Sequence, residues 1–289
     1  MMTGSQNVIK IIQDSYSRLS KGQKIIAEYM INHYDKAAFM TAASLGSILG
    51  VSESTVVRFA NAIGYEGYKE LQKELQEVIR NKLTTVQRLS LSDEFTKNEN
   101  SISRVIEKDI ENLKKTLSDI DFTSFHKAVE YVASSRKIYI MGLRSSSFLS
   151  GYLAFYLNFI FDNVKLVEPG ANDIFEQLAK VDKDDAIICI TYPRYSKRTL
   201  EAMEYAMTKG CKVISFTDSL ISPAASKAHL TLIARSDMLS FVDSLVAPMS
   251  LINAFIIAVS SIKDEDITPY FEELESVWKK YSIYDENNQ

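Results

Sequence analysis

The sequence predicts an N-terminal all-α bundle followed by a larger α/β domain built as a sandwich around a parallel sheet. Three observations carry this. The first eighty residues repeat their apolar side chains at helical spacing. From about Lys137 onward, short apolar runs such as Ala186–Thr191 alternate with helical segments, the pattern of parallel strands joined by crossover helices. Between the two, a stretch dominated by Ser, Thr, Asn and charged residues shows little periodicity and reads as a linker. The expected boundaries are 1–81 for the bundle, 82–100 for the linker and 101–289 for the α/β domain.

In the bundle, Ser20-x-x-Gln23 has the form of a capping box and opens an amphipathic helix expected to run to about Tyr34. Leu45, Ile48 and Leu49 give the next short helix a buried stripe. Gly50 suits a sharp helix end with positive φ, Val51 packs in the turn, and Ser52 is a good N-cap. Val56, Phe59, Ala60 and Ile63 then share one face of a second helix. A further helix is expected over Glu66–Arg80, with Tyr68, Leu71, Leu75 and Val78 inward. Two short helices joined by a tight turn form a helix-turn-helix, whose second helix enters the DNA major groove. An ordinary helical hairpin has the same apolar spacing. If the motif reads DNA, the contacting residues are Ser52, Glu53, Ser54, Thr55, Arg58 and Asn61, the polar face of that second helix.

Overall charge argues against a nucleic-acid binder, since the net charge is −4. Its distribution matters more: residues 1–82 are slightly positive and the remainder clearly negative. A weakly basic module implies modest affinity per protomer, so specific binding to a double-stranded operator calls for a dimer. Cys189 and Cys211 are the only cysteines, with no CxxC, and His33, His126 and His229 are scattered. No metal site, cofactor or disulfide framework is expected. The N-terminus lacks a basic-then-apolar leader, which fits a cytoplasmic protein. The uncharged run Ser244–Ile262 is long enough to cross a bilayer, but Pro248, Asn253 and four serines favour a fully buried helix, and Phe148–Phe161 is read the same way.

The α/β half is expected to open with a helix over Ile102–Leu117, striped by Val105, Ile106, Ile110, Leu113 and Leu117, and a second over Phe122–Ala133. Strands follow at Lys137–Met141, Val164–Val167, Ala186–Thr191, Lys212–Phe216 and Leu230–Ala234. Helices are expected after a Gly142–Ser147 loop, over Asn172–Ala179, from a Tyr192–Ser196 loop through Lys209, and finally over Pro269–Tyr281. In such sheets, ligands bind beyond the carboxyl ends of the strands.

Two strand-to-helix loops stand out there. The first is Met141-Gly142-Leu143-Arg144-Ser145-Ser146-Ser147, and the second Ile190-Thr191-Tyr192-Pro193-Arg194-Tyr195-Ser196. Each places hydroxyls and an arginine at a helix start, where backbone N–H groups and the helix dipole favour an anion. The candidate ligand residues are therefore Arg144, Ser145, Ser146, Ser147, Thr191, Arg194 and Ser196. Ser at a helix start is also a common N-cap, so either loop alone has a purely structural explanation.

The run LSKGQKIIAEYMINHYDKAAFMTAASLGSILGVSESTVVRFANAIGYEGYKELQKEL resembles the N-terminal domain of RpiR-type bacterial transcriptional regulators, most specifically at Val51–Phe59 and Gly64-Tyr65-Glu66-Gly67-Tyr68. Residues from about Phe122 to Ile262 resemble the SIS, or sugar-isomerase, domain that follows in that family and also occurs in phosphosugar isomerases. Gly142 and Ser146 match the first Gly and the Ser of the family's Gly-x-Gly-x-Ser pattern, with Arg144 at the second Gly. Thr191 and Ser196 match the ends of the Ser-x-Ser-Gly-x-Thr loop, with Pro193 and Arg194 at its second Ser and its Gly. Thr217-Asp218-Ser219 and Ser222-Pro223 are similar to the next strand end and turn.

The resemblance implies a transcriptional regulator of carbohydrate or related metabolism, without catalytic residues, controlled by an anionic metabolite such as a phosphosugar or a carboxylate. It also implies a homodimer or homotetramer with no membrane partner. Two other readings use the same residues: a phosphosugar isomerase with a helical accessory domain, and a regulator whose SIS domain is only a dimerisation scaffold. Isomerisation needs a positioned base. Neither loop carries a His or carboxylate, and His229 and Glu168 are the nearest candidates, each with a plain structural reading.

Overall fold

The computed structural model describes residues 8–80, Thr85, Arg88, 101–238, 240–262 and 267–284. The chain divides into two compact units, Met1–Ser90 and Leu91–Gln289. Of the expected linker 82–100, only Thr85 and Arg88 are described, and both are helical.

The first unit contains α1 (Val8–Ser15), α2 (Lys21–Asn32), α3 (Tyr34–Ala37), α4 (Ala42–Leu49), α5 (Glu53–Ala62) and α6 (Tyr68–Arg80). Ser20 caps α2: its backbone N–H donates to Gln23 Oε1 at 3.0 Å. The helix ends at Asn32, short of the expected Tyr34, because His33 leaves helical geometry with φ −135° and ψ 40°. The last helix begins at Tyr68 rather than Glu66, whose N–H donates to the Glu70 carboxylate at 2.7 Å. Ile26, Met30, Leu45, Val56, Phe59, Leu71 and Leu75 are fully buried in one core. The α6 side chains also satisfy carbonyls left open after α3. Tyr68 Oη donates to Met40 O at 2.9 Å, and Gln76 Nε2 to Ala38 O at 2.8 Å.

The second unit runs α7 (Ser101–Asp119), α8 (Phe122–Ala133), β1 (Ile138–Gly142), α9 (Ser146–Leu157), β2 (Val164–Val167), α10 (Ile174–Gln177), β3 (Ala186–Ile190), α11 (Lys197–Thr208), β4 (Lys212–Thr217), β5 (Leu230–Ile233), α12 (Val246–Ile262) and α13 (Thr268–Lys280). All strand pairings are parallel, in the order β2-β1-β3-β4-β5. Of the three interior strands, β1 and β3 are buried along their whole length between helices on both faces, which explains their largely apolar sequences. One apolar core, with Leu149, Leu153, Leu251 and Phe255, fills the α8/α9/α12 face. A second, with Met203, Ala206, Leu178 and Val213, fills the α10/α11 face.

Three expectations about burial are corrected. Ile48 is 56 % exposed. The buried side of α4 runs through Leu45 and Gly46 instead, because this helix is held close to the following turn at Gly46. The uncharged helices α9 and α12 are not buried all round: Phe148, Phe155 and Tyr156 on the first and Ile257 on the second are exposed. Their lack of charge reflects apolar groups on both faces, only one of which packs on the sheet. The stripe of α7 is also turned outward. Ile102, Val105, Ile106, Ile110 and Leu117 are exposed, while Asn112 and Thr116 are buried. Polar bonds set this rotation: Asn112 Nδ2 donates to Asp237 O at 2.9 Å, and Arg235 N–H donates to Thr116 Oγ1 at 2.8 Å. Among the described residues, no helix is long and apolar enough to cross a membrane.

Candidate functional sites

In the helical unit, Thr41 caps α4 by accepting from Ser44 N–H at 3.1 Å. Gly50 ends that helix in the left-handed region at φ 65°. Gly46 O accepts the Val51 N–H at 2.9 Å, and a Cβ on Gly46 would lie 2.7 Å from Val51 O. The turn therefore closes only over a glycine at 46, a requirement that the sequence reading did not extract. Ser52 then caps α5, its Oγ accepting from Thr55 N–H at 3.2 Å.

Among the proposed DNA-contacting residues, Ser52, Glu53, Ser54, Arg58 and Asn61 are exposed on α5 or its cap. Thr55 is half-buried, its methyl facing Gly22 of α2. With its amide turned so that the nitrogen faces acceptors, Asn61 donates to Tyr65 O (3.1 Å) and Glu66 O (3.2 Å), which would hold the loop after α5. Glu53 sits in the first helical turn, where an acid is favourable to the dipole. Arg58 Nε donates to Ser54 O at 3.3 Å, and Gln23 Nε2 ties α2 to Arg58 O at 3.3 Å. Val57, not among the sequence candidates, is a large exposed apolar side chain on this helix and suits contact with a thymine methyl.

In the α/β unit, β1 and β3 are neighbours whose ends pair Gly142 with Ile190. The chain leaves β1 for β2 on one side and continues from β3 on the other, so these two strand ends form the switch point of the sheet. Both candidate loops start there. Gly142 is required by packing, since a Cβ would lie 2.5 Å from Ser146 O. Arg144 and Arg194 both hold positive φ, at 58° and 72°. The loops thus keep a glycine-like backbone while presenting arginine, and both arginines are exposed.

The hydroxyls divide into those that build the loops and those at the crevice. Thr191 Oγ1 is buried and accepts from Ser196 N–H at 3.3 Å. Ser196 Oγ caps α11 through Thr199 N–H at 3.3 Å. Ser147 Oγ donates to Arg144 O at 2.6 Å, and Ser146 is buried. Ser145 Oγ instead donates to Asp243 Oδ2 at 3.0 Å. A second carboxylate, Asp218 at the end of β4, accepts from Tyr195 Oη at 2.8 Å and Thr217 Oγ1 at 3.2 Å. Sequence reasoning missed Asp243, which is brought to Ser145 across 98 positions of chain. Two buried hydroxyls of the second loop and its helix, Tyr192 Oη and Thr199 Oγ1, have no hydrogen-bond partner. Burial, with the Asp218 charge nearby, pushes the Tyr192 phenol well above its ordinary range.

His229 Nδ1 accepts from Val213 N–H at 3.0 Å, fixing it at the start of β5. Glu168 lies in the exposed loop after β2. No cluster of metal-ligating side chains occurs among the described residues.

Comparison with known proteins agrees with this architecture. The family model described as helix-turn-helix domain, rpiR family, matches residues 6–82, and the SIS domain model matches 131–258. An uncharacterised HTH-type transcriptional regulator of Caldanaerobacter subterraneus subsp. tengcongensis is 24 % identical over 283 residues, covering 94 % of this chain and 96 % of that one. Another, from Haemophilus influenzae, is 25 % identical over 236 residues, covering 80 % of this chain and 81 % of its own. Among solved structures, Vibrio vulnificus NanR complexed with ManNAc-6P superposes with TM-score 0.57 at 20 % identity, over 95 % of this chain and 99 % of that one. The sugar isomerase domain of an RpiR transcription factor from Sphaerobacter thermophilus gives 0.59 at 23 % identity, over 62 % of this chain and 99 % of that one. With a capped helix-turn-helix in one unit and a SIS sheet in the other, the chain belongs to the RpiR-type transcriptional regulators.

Proposed function

We propose that this regulator binds a palindromic operator as a homodimer or a pair of dimers, and that an anionic metabolite at the β1/β3 crevice sets its DNA affinity. The cytoplasm is where such a protein would work. The observation that carries the effector site is that Arg144 and Arg194 are both held at positive φ, on loops leaving adjacent strand ends. Two guanidinium groups there suit a phosphate or carboxylate. The ManNAc-6P complex of the similarly folded Vibrio protein makes a phosphosugar the first class to test. Asp218, beside the second loop, suits the hydroxyl or amine groups of such a ligand. The ligand acts through its differential affinity for DNA-competent and incompetent arrangements.

Binding of labelled DNA from the regulator's own upstream region, measured by anisotropy at fixed salt, tests this reading. Arg58→Ala should weaken binding and lower the salt slope by about 1. Among the described residues its guanidinium bonds only within α5, so the fold should persist. A panel of phosphosugars and organic acids should contain a compound that shifts the operator affinity of the wild type and not that of Arg144→Ala/Arg194→Ala. Robust isomerase turnover on any of those phosphosugars would replace the sensor reading with an enzymatic one.

A further inference from the structure

We infer that α7 pairs antiparallel with α7 of a second copy of this chain. The assignment rests on the homodimer proposed above and names its contact. Its first support is the rotation of the helix. Asp109, Asn112 and Thr116 face the chain's own α/β unit, where Asp109 accepts from Ser244 Oγ at 2.6 Å. That leaves Ile106, Ile110, Leu113 and Leu117 as a ridge at intervals of four, three and four residues, the spacing of a coiled-coil seam. Ile106, Ile110 and Leu117 are 54, 44 and 70 % exposed, and Leu113 is half-buried. Ile102, one turn before Ile106, is exposed as well. An apolar ridge of this length on a helix docked by polar bonds has no use for the chain's own core.

Charge selects the partner and the direction. With Ile110 and Leu117 at a positions and Ile106 and Leu113 at d, Glu107 and Lys114 both fall at e. In an antiparallel pair, e positions face e positions. A two-fold axis between Ile110 and Leu113 sets Ile110 of each copy on Leu113 of the other, and Ile106 on Leu117. The same axis places Glu107 of each copy beside Lys114 of the other, so the surface is self-complementary in charge as well as shape. A parallel pair would instead direct Lys114 to Asp109, which is already committed to Ser244. A foreign helix would need this arrangement by coincidence, whereas a second copy carries it by symmetry.

The test is sedimentation of the full chain with and without changes on this ridge. The wild type should be a dimer or a dimer of dimers at micromolar concentration. Ile106→Ser/Ile110→Ser should raise the dissociation constant of the α7 pair at least 100-fold with an unchanged circular dichroism spectrum, since both side chains are exposed in the single chain. Glu107→Lys and Lys114→Glu should each weaken association by about fivefold, as expected when surface ion pairs become like-charge pairs. The double exchange should restore it. A serine variant that assembles like the wild type, or charge variants without mutual rescue, would overturn the α7 interface and leave the homodimer standing. A monomeric wild type would overturn both.

Discussion

The Ser145 hydroxyl donates to the Asp243 carboxylate at 3.0 Å, so a hydroxyl at the proposed effector crevice is already occupied by a negative group of the same chain. An incoming anion meets that charge. Asp243→Asn keeps an acceptor for Ser145 and removes the repulsion. Affinity for inorganic phosphate or a phosphosugar, measured by calorimetry, should rise about fivefold, the effect of ~1 kcal/mol between unit charges a few ångströms apart in a solvent-like medium. A fall would mean that Asp243 itself grips the ligand.

Arg144 and Arg194 adopt a backbone conformation that costs an L side chain free energy. Arg144→Gly and Arg194→Gly should each stabilise the protein by about 1 kcal/mol in urea unfolding. The same variants should lose the response to the effector. Gain in stability together with loss of response is the mark of strain kept for function.

At Gly46 the constraint is contact rather than conformation. Alanine there would set a Cβ 2.7 Å from Val51 O, and that atom is backbone. Gly46→Ala should push α4 away from the turn and lower operator affinity by at least tenfold, read by anisotropy, while the oligomeric state in sedimentation stays as it was.

Burial pushes the Cys211 thiol up to about 12, and Cys189 higher still. Both should resist a thiol reagent at pH 8 until the protein is unfolded. Unfolded thiols ionise near pH 8.5, so the unfolded state loses protons that the folded state keeps. This contribution to stability is complete below about pH 8.5 and declines as pH rises toward 12. Urea midpoints at pH 8 and pH 10 check the sign, and Cys189→Ala/Cys211→Ala should flatten the decline.

Much of this was readable from local sequence, because the interactions responsible are local. The Ser52 cap, the left-handed Gly50 and the inward face Val56, Phe59, Ala60 and Ile63 involve residues within one or two turns of each other. The same holds for the strand runs, since β1 and β3 lie between two helical layers and their sequences are largely apolar. Apolar spacing shows that a helix has a sticky side, but not what that side meets. Hence Ile48, Phe148 and the α7 stripe, all expected inside, lie outside.

By itself the sequence determined the two-unit plan, the helix-turn-helix, the parallel sheet and the two arginine-bearing loops, each written in periodicity or in a short motif. Only the tertiary structure decided that the loops leave adjacent strands, that Asp243 reaches Ser145 and that Gly46 must be bare. It also decided that α7 turns its polar face inward. Those facts depend on residues far apart in the chain: the bonds from Asn112 to Asp237 and from Thr116 to Arg235 span more than a hundred positions. Pairings of that range are chosen by packing across the whole domain, and no window of sequence contains them.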